Sequence, residues 1–200
     1  VFTGNPRGMF VSPDGQWIGF VDSNTALKKV AVTGGPAVTL ANLDGGPRGA
    51  TWEPDGTIIV ATQAPGTGLQ RVAVAGGTTT VFTRPDHSQG EGDHLWPEML
   101  PDGRSVLFTI TALTGGFDAA QVAVLDLQTG ARKVLVHGGS HAHYMPSGHL
   151  VYLASGTLRA VPFDLARLET RGTPVPVVPD VVTTNTGGVD AVMAGDGTLA

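Results

Sequence analysis

Phe10-Val11-Ser12-Pro13-Asp14-Gly15 returns as Thr51-Trp52-Glu53-Pro54-Asp55-Gly56, as Glu98-Met99-Leu100-Pro101-Asp102-Gly103, and in altered form as Tyr144-Met145-Pro146-Ser147-Gly148. A fifth copy, Val192-Met193-Ala194-Gly195-Asp196-Gly197, loses the proline and keeps Asp-Gly. Proline presets φ at the first central position of a tight turn, aspartate bonds the backbone downstream, and glycine takes the positive φ that ends the turn. Each copy therefore reads as a link between two antiparallel strands, and Asp14, Asp55 and Asp102 read as turn formers rather than catalytic carboxylates. The spacing is regular: 41 residues from Asp14 to Asp55, 47 on to Asp102, 45 to Ser147 and 49 to Asp196. This is a repeat with the length of a four-stranded unit.

The residues after each copy are β-like. Gln16 to Val21, Thr57 to Ala61, Arg104 to Thr109 and His149 to Leu153 are short runs rich in β-branched and aromatic residues, the pattern of strands bounded by turns. Half a period later a second phrase appears. Leu27 to Val32 meets Gly34-Gly35 and then Ala37 to Leu40, and Leu69 to Val74 meets Gly76-Gly77 and then Thr79 to Phe82. The third copy, Gln121 to Leu127 with Thr129-Gly130 and Arg132 to Val136, follows an insertion at Thr111 to Ala120. The fourth runs from Leu158 to Phe163 and, after a longer connection through Asp164 to Thr173, from Pro174 to Val178. Two hairpins per period make a four-stranded antiparallel blade. The predicted fold is all-β, a β-propeller fragment over 1–200 with blades near 5–43, 46–84, 93–137 and 140–179 and a partial blade at 188–200.

Composition sets limits on function. The formal charge of -5 and the lack of a basic cluster remove the electrostatic footprint that nucleic acid or anionic lipid would need. No run of residues approaches the length of a membrane-crossing helix, so no membrane insertion is expected, and cysteine is absent, which removes disulfides and thiolate metal sites. Val1-Phe2-Thr3 matches Val81-Phe82-Thr83 at the end of an outer strand, and the sequence stops within the fifth copy. An open arc of blades would expose strand edges and a hydrophobic blade face. The expectation is a larger ring completed by further sequence or by a second chain, with self-association as one route.

The Ser-Pro-Asp-Gly phrase, Leu27 to Pro36 and Tyr144 to Tyr152 resemble the TolB-like propeller, a WD-like family with Pro-Asp in place of Trp-Asp. Leu158-Arg159-Ala160-Val161-Pro162-Phe163-Asp164 and the Trp96-Pro97 pair are most similar to propellers that accompany bacterial serine/threonine protein kinases. The resemblance covers essentially the whole chain and implies a ring of roughly six blades. It is specific for the fold and weak for activity, since such blades also occur beside peptidase domains and in periplasmic interaction proteins. No kinase Gly-rich loop, His-Arg-Asp or Asp-Phe-Gly is present, and no Gly-x-Ser-x-Gly elbow. Kinase or peptidase chemistry would lie in another domain.

Candidate site residues cluster just ahead of the third and fourth Pro copies. Asp86 to Glu98 and His137 to Tyr144 lead into inner strands of neighbouring blades and approach the channel mouth, where propellers bind ligands. His94, His141 and His143 suggest a divalent metal site, with Glu91 or Asp93 as carboxylate, because residues two apart on a strand project to one side. The alternative is that these histidines cap strand starts and bond backbone. Trp96 is a candidate ligand contact in the same segment, with packing as its alternative. Arg7 and Arg48, each six residues ahead of the proline in its copy, suit an acidic ligand held by bidentate contacts, or else a structural bond to a neighbouring carbonyl or carboxylate. The expected function is a non-catalytic ligand- or protein-binding propeller, contacting a protein, peptide or small ligand at the channel mouth and on loops Pro85 to Asp93 and Thr111 to Ala120. The alternatives are a metal-dependent hydrolase or lyase working in the channel and the gating propeller of a serine peptidase.

Overall fold

In the computed structural model, which describes residues 4–184 and 187–189, the Pro-Asp-Gly phrase makes the turn its residues dictate. Gly15 N–H donates to the Ser12 carbonyl at 2.9 Å, and the same bond recurs from Gly56 to Glu53 and from Gly103 to Leu100 at 3.0 Å and from Gly148 to Met145 at 2.9 Å. All four glycines take positive φ. The aspartates cap the turn, with Asp14 Oδ1 accepting from Gln16 N–H, Asp55 Oδ1 from Thr57 N–H and Asp102 Oδ1 from Arg104 N–H at 2.8–3.0 Å.

Four antiparallel meanders follow from these turns. The first is β1 (Arg7–Val11), β2 (Trp17–Asp22), β3 (Ala26–Ala31) and β4 (Val38–Asn42), and the second is β5 (Pro47–Trp52), β6 (Thr57–Thr62), β7 (Gln70–Ala73) and β8 (Thr80–Val81). The third orders β9 (Glu91–Met99), β10 (Ser105–Ala112), β11 (Gln121–Asp126) and β12 (Arg132–His137) in sequence. The fourth orders β13 (Ser140–Met145), β14 (His149–Ala154) and β15 (Thr157–Asp164). Its outer position departs from expectation, because two short strands share β15: β16 (Glu169–Thr170) opposite Phe163 and Asp164, and β17 (Val175–Val178) opposite Leu158 to Ala160. The long connection after Asp164 thus contributes a strand of its own.

Two compact units divide the chain, one of residues 1–85 with 93–99 and one of 86–92 with 100–200. Second strands are apolar on both sides, and Ile58 to Ala61 of β6 and Val106 to Phe108 of β10 are buried throughout. In the first unit Leu27, Leu40, Trp52, Ile58, Val60 and Val72 form the core; in the second Leu107, Val122, Leu150, Tyr152, Val161 and Phe163 do so. Trp52 is 6% exposed and stacks obliquely on Phe10 at 5.8 Å, and Lys29 Nζ lies 4.6 Å over Trp17, so both indoles pack on the core of the first unit.

Two segments expected as loops are partly strand. Glu91 to Asp93 belong to β9, after a 3-10 turn at His87–Gln89 capped by the Asp86 carboxylate. Thr111 and Ala112 continue β10, leaving 113–120 with a 3-10 turn at Gly116–Ala119 as the insertion. The fifth copy at Val192 to Leu199 and Val1-Phe2-Thr3 lie outside the described residues.

Candidate functional site

The inner strands share one irregularity. Four residues ahead of the residue that opens each turn stand Gly8, Gly49, Trp96 and His141, with φ of 56°, 99°, 55° and 47°. Register shifts fall there in β1, β5 and β13, between Arg7 and Phe10, Pro47 and Ala50, and Ser140 and His143. A bulge in the inner strand breaks the strict alternation of side chains and re-aims them. In the first two strands glycine takes the left-handed conformation freely, whereas at Trp96 and His141 a side chain is held there at a cost of about 1–3 kcal/mol.

His141 is fixed on both sides. Its N–H donates to Thr109 Oγ1 at 2.9 Å, and its Nδ1 accepts from Val189 N–H at 2.9 Å. The ring meets that of His143 edge-on, with centroids 4.6 Å apart. Burial, and then the neighbouring His143, pull the His141 pKa down to about 3, so the ring is neutral at pH 7. With Nδ1 accepting, the proton of the neutral ring sits on Nε2. His141 is therefore a positioned donor, and its lone-pair nitrogen is already occupied.

The expected metal set is not assembled. Among the described residues no three His, Asp or Glu side chains gather to hold a cation. His94 is fully buried, and its Nδ1 shares a 2.8 Å hydrogen bond with Thr83 Oγ1, which also accepts from Leu69 N–H. Nor does pleat alternation bring His141 and His143 together, since the bulge lies between Ser140 and His143. Glu91 receives a two-pronged ion pair from Arg132, at 2.7 and 2.9 Å, and accepts Asp86 N–H at 2.7 Å; it ties the start of β9 to β12. Arg48 donates to the Pro47 carbonyl at 2.8 Å and to Gln63 Oε1 at 2.7 Å, the structural use of its guanidinium within one blade. Arg7, by contrast, is exposed at the start of β1. Trp96 is half-buried, and its Cα and ring crowd Gly49.

Several polar residues carry the sites without a sequence signal. Thr83, just past β8, and Thr109 on β10 anchor His94 and His141. Glu53, 7% exposed, lines a cavity of about 280 Å³ with Trp17, Lys29 and Trp52. Burial pushes its carboxyl pKa up against the Arg71 guanidinium 3.3 Å away. Its place one residue ahead of Pro54, where the first copy has Ser12, was the one visible clue.

No protein-family description matches the sequence, and no curated protein does. Solved structures do match. A protein assigned as TolB from Agrobacterium tumefaciens superposes with a TM-score of 0.69 at 14% identity, over 89% of this chain and 63% of its own. The fold is a β-propeller. An auxiliary nutrient binding protein from Bacteroides thetaiotaomicron gives 0.68 at 12% identity, over 96% of this chain and 49% of that one. An oligogalacturonate lyase in complex with manganese gives 0.61 at 18% identity, over 100% of this chain and 65% of that one. The chain spans about half to two thirds of the length of these propellers, and its neighbours are TolB-like and related propellers with differing functions. In propeller terms, the four meanders are blades, and β1, β5, β9 and β13 are the first strand of each.

Proposed function

We propose that this propeller segment is a binding module, the sensor or interaction region of a larger bacterial protein, with one contact at Trp96 of β9 in the first unit and a separate one at His141 of β13 in the second. The observation that carries this reading is the left-handed backbone of Trp96 and His141 at the place where the other two inner strands use glycine. Backbone strain of this kind persists where it presents a side chain, and glycine is available to evolution at each position. The neutral His141 ring and the Trp96 indole each present flat aromatic area, which suits recognition rather than proton transfer. The nutrient-binding neighbour is compatible with this class. The Leu158 to Asp164 and Trp96-Pro97 phrases favour a kinase as the companion domain.

Affinity capture on the immobilised chain, compared with a Trp96→Ala/His141→Asn variant, tests the reading. A ligand or partner held by the chain and lost in the variant, with circular dichroism unchanged, is the expected result. Stoichiometric Mn²⁺ binding in a calorimetric titration, lost with His143→Ala, would overturn it in favour of the metal-dependent enzyme class that includes the lyase neighbour.

A further inference from the structure

A second polar cavity, of about 310 Å³, opens in the 86–92 and 100–200 unit away from the inner strand. The tight turn Ser155-Gly156, both residues at positive φ, joins β14 to β15 and sets Tyr152 directly opposite Arg159. Directly opposed residues in an antiparallel pair share one face of the sheet, so the phenol and the guanidinium enter the cavity side by side. Tyr152 is only 3% exposed, and Gly139 makes room for it: a Cβ there would lie 2.7 Å from the ring. Apart from each other, neither the Tyr152 hydroxyl nor the Arg159 guanidinium has a hydrogen-bond or ion-pair partner among the described residues.

The remaining polar lining is His137 at the end of β12, Thr173 ahead of β17, and Ser155. Among the described residues no carboxylate lines the cavity, and Asp118 accepts from the Oγ of the lining residue Ser155 at 2.9 Å. On a chain of formal charge -5, the half-exposed Arg159 guanidinium stands at this cavity beside Tyr152 with no acidic partner among the described residues. A planar five-donor fork with a phenolic O–H alongside matches the geometry of an oxyanion.

We propose that this cavity is a receptor for a small oxyanion, a carboxylate or a phosphate, held by the Arg159 guanidinium and the Tyr152 hydroxyl with His137 and Thr173 at its edge. The site is separate from the inner-strand bulges, so it stands or falls independently of the binding role proposed for them.

The chain has two tyrosines, Tyr144 and Tyr152, so ring-labelled tyrosine spectra are assigned with a single Tyr144→Phe variant. Inorganic phosphate and acetate are titrated separately against sodium chloride at matched ionic strength. A saturable shift of the Tyr152 ring signal by at least one oxyanion, with chloride inert, is expected. A response to phosphate alone identifies a phosphate ester as the ligand source, and a response to acetate identifies a carboxylate. Arg159→Met weakens the association about tenfold or more, by loss of a charged hydrogen-bond donor. Arg159→Lys restores part of it, because the charge returns without the fork. Arg159 is partly exposed, so these variants keep the fold, and an unchanged Tyr144 signal verifies it. The proposal fails if neither oxyanion moves Tyr152 beyond chloride, or if Arg159→Met binds as tightly as the parent.

Discussion

Thr83 joins an outer strand end to an inner strand through one hydroxyl, accepting Leu69 N–H and sharing a hydrogen bond with the buried His94 ring. Replacement by valine keeps shape and removes both bonds, leaving a buried donor and a buried ring nitrogen without partners. Thr83→Val is expected to lower unfolding free energy by about 1–3 kcal/mol in urea denaturation. His141 behaves differently because its proton affinity changes on folding. Its pKa falls from 6.5 in the unfolded chain to about 3 in the fold, so between those values the unfolded state binds the extra proton. The stabilising contribution is complete above 6.5 and is lost as pH falls towards 3, by an amount on the order of a few kcal/mol. His141→Asn, which tolerates the left-handed backbone, should flatten the acid side of the stability profile. An unchanged slope below neutrality would show that another group governs it.

At the scale of the strand, the bulge makes neighbouring glycines unequal. Gly49 has φ of 99°, and an added Cβ would stand 2.9 Å from the Trp96 Cα; backbone is what blocks it. Gly8 occupies the matching place with φ of 56°, and its added Cβ would meet only Pro47 at 3.7 Å. Gly8→Ala therefore costs the left-handed conformation alone, roughly 1–2 kcal/mol. Gly49→Ala adds a steric term to it, so that its loss is about 1–3 kcal/mol larger. Thermal denaturation of the two variants side by side measures the difference, and equal losses would refute the role assigned to Trp96. A strand-level reading also explains which parts of the histidine cluster were legible. His141 and His143 were visible as a pair two residues apart, but simple alternation gave the wrong reason for their meeting. Sequence period cannot show a bulge whose left-handed residue is histidine instead of glycine.

At the scale of the whole chain, β1 carries exposed apolar side chains. Met9 is 72% and Val11 59% exposed, whereas β5, the equivalent strand of the next blade, is half-buried to buried. An apolar inner-strand face of this kind seeks a covering blade. We expect the chain to associate through it, seen as a concentration-dependent mass in light scattering, and Met9→Lys with Val11→Lys to shift the population to monomer. A parent chain that stays monomeric at every concentration would count against that interface.

The amino-acid sequence by itself determined the turns, the strands and their grouping into blades, because Pro-Asp-Gly and Gly-Gly impose local dihedral angles and the apolar runs between them have no other way to be buried. It also marked the aspartates as turn formers. Tertiary structure decided which polar side chains are available for chemistry. Glu91 and Arg48 are taken up by Arg132 and Gln63, His94 by Thr83, and the lone pair of His141 by the Val189 amide. Arg159 and Tyr152 are left facing a cavity. Each of these outcomes depends on a partner brought close only by packing, and hydrogen bonding and burial act over ångströms that no spacing along the chain records.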